Sequence, residues 1–92
     1  MAASSQAAPT QDIGTLKMDC VFQTRSQVHQ IVTVDFDRRT INGQAAMIGP
    51  DAMHWKEGDH GYRLDRVTGI LTLLVASKNV VFKLQCNTVN EP

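Results

Sequence analysis

The sequence predicts an all-β fold, a small antiparallel meander that forms a barrel or a sandwich of about seven or eight short strands. Apolar and polar residues alternate over several short stretches, which is the period of a half-buried strand. Turn-forming residues separate these stretches at intervals of about eight to twelve residues. A helix would have to lie within residues 44–57, and Gly49 and Pro50 interrupt that window.

The first and last strands show the alternation most clearly. In LKMDCVFQ, residues 16–23, the apolar residues occupy alternate positions, and Cys20 is one of them. In VVFKLQC, residues 80–86, the same pattern includes Cys86. Both cysteines are therefore predicted to lie on the apolar side of their strands.

The strands that follow the first one are bounded by turn signals. QVHQIVTVDF, residues 27–36, is rich in β-branched residues and is predicted to be a strand. A polar reversal covers residues 35–40, and Asn42 with Gly43 predicts a two-residue hairpin turn. Pro50 marks a further break, because proline cannot sit in a central strand.

The second half of the chain predicts two hairpins. AMHWKE, residues 52–57, and YRLD, residues 62–65, are predicted to be strands joined by a turn at residues 58–61. ILTLLVAS, residues 70–77, is the most apolar strand and leads through a short turn into the last one. We expect Trp55 to point into the core, since a small core with few aromatic residues needs each of them.

The chain divides into a leader, one domain and a short tail. Residues 1–15, MAASSQAAPTQDIGT, are small and polar, and we expect a disordered leader or tether. Residues 16–88 form the domain, and residues 89–92 form the tail. The leader resembles what remains after removal of a signal peptide, and an ordinary cytosolic tail is the alternative.

The cysteine positions predict a covalent link between the two ends of the domain. Inward cysteines on the first and last strands become neighbours when a sheet closes on itself, so we expect a Cys20–Cys86 disulfide. The alternative is two buried free thiols in a cytosolic protein. With the leader, the disulfide favours a periplasmic or secreted protein over a cytoplasmic one.

The charge balance argues against two classes of function. Nine basic and nine acidic residues give a formal net charge of zero, and they are scattered along the sequence. We therefore expect no nucleic-acid binding, which calls for a basic stripe. No apolar run approaches the length of a transmembrane segment.

The sequence offers little for catalysis. Neither Ser26 nor Ser77 lies in a recognisable nucleophile motif. Asp35 and Asp37 could act as an acid–base pair, but this pattern before two arginines is more typical of a solvated turn. We expect no enzymatic activity and no cofactor.

A metal site is a minor hypothesis. His54 and His60 are six residues apart across a predicted hairpin, which could bring them to one face with Asp59 beside them. The spacings that are typical of zinc ligands are not present, so we expect no metal. A small metal- or ligand-handling protein built on these three residues stays the least favoured function.

The segment HWKEGDHGYRLDR, residues 54–66, carries the residue types that are frequent in protein interfaces. With Trp55 and its apolar neighbours turned inward, the remaining side chains form a candidate surface patch. Its members are His54, Lys56, Asp59, His60, Arg63 and Arg66. We expect this patch to bind a partner, another protein of the cell envelope.

Two resemblances bear on function. The segments VDFDRRTINGQAAMI and YRLDRVTGIL, between the two cysteines, resemble a pattern of uncharacterised small exported bacterial proteins and imply an envelope location. WKEG at residues 55–58 and the terminal cysteines are similar to the membrane-bound inhibitors of c-type lysozyme. That likeness implies a disulfide-tied barrel that inhibits a hydrolase, although the family's Ser-Gly-x-x-Tyr loop is absent. We therefore expect a non-catalytic binding module, with hydrolase inhibition as the alternative.

Overall fold

The computed structural model describes residues 13–89, apart from the side chain of Ser26. Eight antiparallel strands follow one another around a closed barrel, so the predicted all-β meander is confirmed and it is a barrel. Of the predicted leader and tail, residues 1–12 and 90–92 lie outside the described part. The strands are β1 (Thr15–Phe22), β2 (Arg25–Asp35), β3 (Thr40–Ile41), β4 (Gln44–Ile48), β5 (Ala52–Glu57), β6 (His60–Asp65), β7 (Ile70–Val75) and β8 (Val80–Thr88).

Most strands bury alternate residues, as their sequence period predicts, whereas β4 has no fully buried residue and the first four residues of β8 are all exposed. In β5 the side chains of Met53 and Trp55 are buried while those of His54 and Lys56 are exposed. The inward side chains of all strands but β4 form one core inside the barrel. Its members are Met18, Cys20, Val32, Val34, Phe36, Ile41, Met53, Trp55, Tyr62, Leu64, Leu71, Leu73, Leu84 and Cys86.

The barrel closes where the first strand pairs with the last. β1 and β8 are antiparallel neighbours, and their register places Cys20 directly opposite Cys86. The two residues form a disulfide with an S–S distance of 2.01 Å. The predicted link is confirmed, and the alternative of two free thiols is wrong.

The element boundaries differ slightly from those predicted. β1 begins at Thr15, and the carbonyl oxygen of Gly14 accepts a hydrogen bond from Phe36 N at 2.9 Å. The β5–β6 turn is only two residues long, because His60 and Gly61 already belong to β6. Residues 76–78 form a 3-10 turn instead of the end of a strand. Within residues 13–89, no helix is long and apolar enough to cross a bilayer.

The shortest strand of the barrel is β3, which has only two residues. Past the end of β3, the Asn42 side chain makes hydrogen bonds to the backbone of β2. Thr33 N donates to Asn42 Oδ1 at 2.8 Å, and Asn42 Nδ2 donates to the carbonyl of Ile31 at 3.4 Å. Asn42 has a φ of 51° and Gly43 a φ of 83°, which fits the predicted two-residue hairpin turn.

We predict that removal of the disulfide lowers the free energy of unfolding. The bond spans a sequence separation of 66 residues, for which the chain-entropy estimate is about 4 kcal/mol. Urea unfolding followed by Trp55 fluorescence should give a lower midpoint for the Cys20→Ala/Cys86→Ala variant than for the wild type. A reductant should lower the midpoint of the wild type and leave the double variant unchanged. Equal midpoints for wild type and variant would contradict this.

We also predict that the Asn42 amide contributes to stability separately from the backbone. Asn42→Ala removes both side-chain hydrogen bonds and places alanine at a positive φ, whereas Asn42→Gly removes only the hydrogen bonds. The glycine variant should lose about 1–2 kcal/mol in urea unfolding, and the alanine variant should lose more. A glycine variant as stable as the wild type would show that the two hydrogen bonds contribute nothing.

Candidate binding groove

A groove with a volume of about 660 Å³ lies on the outer face of β4, β5, β6 and β7. This volume is within the usual range of ligand pockets. Two of the lining residues of the groove, Ala45 and Gly61, have almost no side chain. Its lining residues are Gln44, Ala45, Ala46, Met47, His54, Trp55, Lys56, Gly61, Tyr62, Arg63, Thr72 and Leu74.

Strand register arranges the outward side chains of this face in two rows. One row runs Met47, His54, Arg63, Thr72, Lys83, since each residue pairs with the next across neighbouring strands. The other row runs Lys56, Gly61, Leu74, Val81 by the same pairing. Together the nine residues form what we call the cationic face.

The charged residues of the cationic face are all basic. Lys56, Arg63 and Lys83 are exposed, and none of them has a salt bridge or side-chain hydrogen bond with residues 13–89. The whole chain has a formal net charge of zero, so its acidic residues lie elsewhere. The face therefore carries a local excess of positive charge.

Apolar side chains are exposed next to these cations. Met47 is 73% exposed, Val81 54% and Leu74 40%. Gly61 lies between Lys56 and Leu74 in its row, and a Cβ added there would have no heavy atom within 4 Å. The face thus combines exposed apolar contact area with unpaired positive charge.

Trp55 and Tyr62 are among the lining residues, and their side chains are buried in the core beneath the groove. Their rings stack across β5 and β6 with centroids 4.8 Å apart and an interplanar angle of 6°. Trp55 is only 3% exposed, which confirms that it belongs to the core. Its Nε1 is a buried donor without an acceptor in the described part of the chain. Tyr62 is held by Gln30, whose Nε2 donates to the tyrosine hydroxyl at 3.4 Å.

The structure gathers three of the six predicted patch residues. His54, Lys56 and Arg63 all line the groove. Asp59 lies instead at the β5–β6 turn, where its carboxylate accepts hydrogen bonds from the backbone N–H and the hydroxyl of Ser77. This contact joins two turns of the barrel and leaves Asp59 away from the groove.

The other two patch residues lie apart from the groove. His60 is half-buried, and its Nδ1 is 3.5 Å from the Tyr62 hydroxyl. Arg66 lies at the opposite end of the barrel, where its guanidinium is 5.8 Å from the Phe36 ring centroid and donates to the carbonyl of Gly49 at 2.7 Å. The six residues therefore do not lie on one surface, and the binding role predicted for them stays a prediction.

The suggested histidine pair does not form either. His60 pairs with Glu57 across the turn and lies on the side of the sheet that carries Tyr62, whereas His54 is on the outer side. Within residues 13–89 there is no group of three or more histidine, cysteine, aspartate or glutamate side chains that could hold a metal. The hypothesis that the hairpin brings His54 and His60 to one face is wrong because the strand period separates them.

The other polar candidates have local structural contacts. Asp35 accepts a hydrogen bond from Arg38 N at 3.1 Å, and Asp37 accepts one from Gly14 N at 3.4 Å. Both carboxylates thus stabilise the β2–β3 region, as expected for a turn. His29 pairs with Asp19 on the outer face of β1 and β2, at 3.0 Å from Nδ1 to Oδ1.

Sequence reasoning missed six of the nine residues of the cationic face. Met47, Leu74, Val81 and Lys83 come from three other strands, and no short motif contains them. Each does occupy an outward position in the period of its own strand, which is the only sequence signal that they carry. Their approach to His54 and Arg63 depends on strand register.

The fold and the groove define a disulfide-closed antiparallel β-barrel with a cationic, partly apolar outer surface. No family model, no curated protein and no solved structure matches this chain. The likenesses to small exported bacterial proteins and to lysozyme inhibitors therefore remain expectations from the sequence.

Asp65 borders the cationic face and shapes the β6–β7 turn. Hydrogen bonds from Thr68 N and Val67 N to its carboxylate, at 3.1 and 2.9 Å, lower the pKa of Asp65, and the nearby Arg63 adds to this. The charged form is thus favoured in the folded state. It stabilises the protein at neutral pH, and this contribution is lost as the pH falls through the lowered pKa.

We predict that Asp65→Asn reduces the acid sensitivity of folding. The variant should be less stable than the wild type at pH 7, and the difference should shrink at pH about 3 as the native carboxylate becomes protonated. Urea unfolding at both pH values measures this. A difference that stays constant between them would contradict the assigned role of the charged carboxylate.

Proposed function

We propose that this protein is an exported, non-catalytic binding module of the cell envelope, and that the groove on β4 to β7 binds another protein. The proposal depends on one observation, a concave surface that combines apolar and polar contacts. Met47 and Leu74 are exposed apolar residues of this surface. Its polar side chains include His54, Lys56 and Arg63. Neither catalytic nor cofactor chemistry is needed for such a surface to act.

The composition of the groove supports a protein partner. Methionine and arginine are enriched in protein interfaces, and methionine adapts its shape to different partners. Met47 is the most exposed apolar side chain of the groove, and the closed barrel beneath it offers a rigid base. A rigid base lowers the entropy cost of association.

The disulfide supports the export part of the proposal. Disulfides persist in oxidising compartments and are rare in reducing ones. The Cys20–Cys86 bond closes a domain too small to rely on a large core, which is typical of small exported domains. A cytoplasmic location is the alternative.

We predict that Gly61→Val blocks the groove without unfolding the barrel. The Cβ position faces open space, and valine favours extended strands, so stability should be unchanged or slightly higher. Peptides selected from a random phage-displayed library on the wild type should bind with a Kd that rises at least about tenfold in this variant. Emission of Trp55, the single tryptophan and a lining residue of the groove, reports the binding.

Thr88→Val is the matched control, because it also adds valine to an exposed strand position but lies outside the groove. It should leave the Kd of the selected peptides unchanged. Failure to select any peptide, or equal binding by the wild type and Gly61→Val, would overturn the proposed function.

A further inference from the structure

We propose that the partner of the cationic face is an acidic, extended peptide segment that carries carboxylates and an apolar side chain at alternate positions, and therefore on one side of the peptide. This inference rests on the proposed function and specifies the chemistry of the partner. It follows from the charge, the spacing and the concave shape of the face.

The charge of the face requires an anionic partner. Lys56, Arg63 and Lys83 contribute three positive charges, and none of the nine positions of the face is acidic. No described salt bridge engages these side chains, and of the three only Arg63 has a described electrostatic interaction with an acidic residue, Asp65. An acidic partner is attracted to the face and associates with it faster, while a basic partner is repelled.

The spacing of the face fits an extended chain. Its two rows are two residues apart along each strand, which corresponds to about 7 Å, and neighbouring strands are about 5 Å apart. Side chains on one face of an extended peptide also repeat at about 7 Å. Glutamates at alternate positions can therefore reach Lys56 in one row and Arg63 in the other.

Exposed Leu74 and Val81 supply the apolar contact. They are paired neighbours in the row that also holds Lys56 and Gly61. An apolar side chain two residues from a glutamate, on the same side of the peptide, would enter the space above Gly61 and cover Leu74. This contact provides affinity that salt cannot screen.

Two other anionic partners fit less well. A membrane surface is flat, whereas the apolar side chains here border a concave groove. Single-stranded nucleic acids are typically bound by exposed aromatic rings on which bases stack, whereas Trp55 and Tyr62 are both buried. A peptide chain can enter the groove and present carboxylates at its rim.

The test uses the whole protein and three synthetic peptides. The first is acetyl-Gly-Glu-Ser-Glu-Ser-Leu-Gly-amide, in which both glutamates and the leucine lie on one side of an extended chain, and the other two carry glutamine or lysine in place of glutamate. Binding is followed by Trp55 emission and by the backbone amide resonances of Gly61 and Leu74. We expect the glutamate peptide to bind, the lysine peptide not to bind, and the affinity to fall as salt is raised from about 50 to about 500 mM.

Charge reversal on the face is the decisive comparison. Lys56→Glu/Arg63→Glu should raise the Kd of the glutamate peptide at least about tenfold, and Lys83→Glu alone should raise it in the same direction. The control Arg25→Glu/Arg38→Glu makes the same change in net charge at exposed positions outside the face, and it should stay within about twofold of the wild type. Equal weakening by both double variants would show a net-charge effect and overturn the inference.

The outcomes separate this inference from the proposed function. If the glutamine peptide binds as well as the glutamate peptide and Gly61→Val abolishes both, the groove is a binding site but the acidic partner is wrong. If none of the three peptides shifts the Gly61 and Leu74 resonances while library-selected peptides still bind the wild type and not Gly61→Val, the acidic partner is wrong and the proposed function stands. Tighter binding of phosphatidylglycerol vesicles or of oligothymidylate than of the glutamate peptide would also overturn the inference.

Discussion

Closure of the barrel between β1 and β8 is the constraint on which the rest of the structure depends. The register of this pair sets Cys20 opposite Cys86, and the disulfide then holds together strands that are 66 residues apart in sequence. A sheet of this size cannot bury its own apolar face unless it curls, and closure removes the free edges at its ends. The inward side chains can then fill one continuous core.

Closure of the barrel also determines which side chains remain on its outer surface. With the aromatic stack of Trp55 and Tyr62 turned inward, the cationic face on the outer surface of β4 to β8 carries no acidic side chain. The core gives this surface a rigid base, and Gly61, which has no side chain, is one of the residues that line the groove. Stability and the candidate binding site thus use opposite faces of the same strands.

Some polar residues of the segment 54–66 have partners within the chain, at the hairpin turns, and others do not. Asp59 fixes the β7–β8 turn through Ser77, and Arg66 covers the opposite end of the barrel over Phe36. Both residues are of types that also occur in interfaces, yet their partners lie within the chain. Lys56 and Arg63 come from the same short segment and have no salt-bridge partner in the described residues, which leaves them available for another molecule.

The sequence by itself determined the strands, their inward faces, the Asn42–Gly43 turn and the sides on which the two cysteines lie. These features follow from a period of two residues and from local backbone preferences, which a single segment reveals. Only the tertiary structure decided that His54 and His60 face opposite sides, that Asp59 reaches Ser77, and that Lys83 joins Arg63 on one surface. The physical reason is register, because a shift of one residue between strands exchanges the inner and outer faces and changes every neighbour across them.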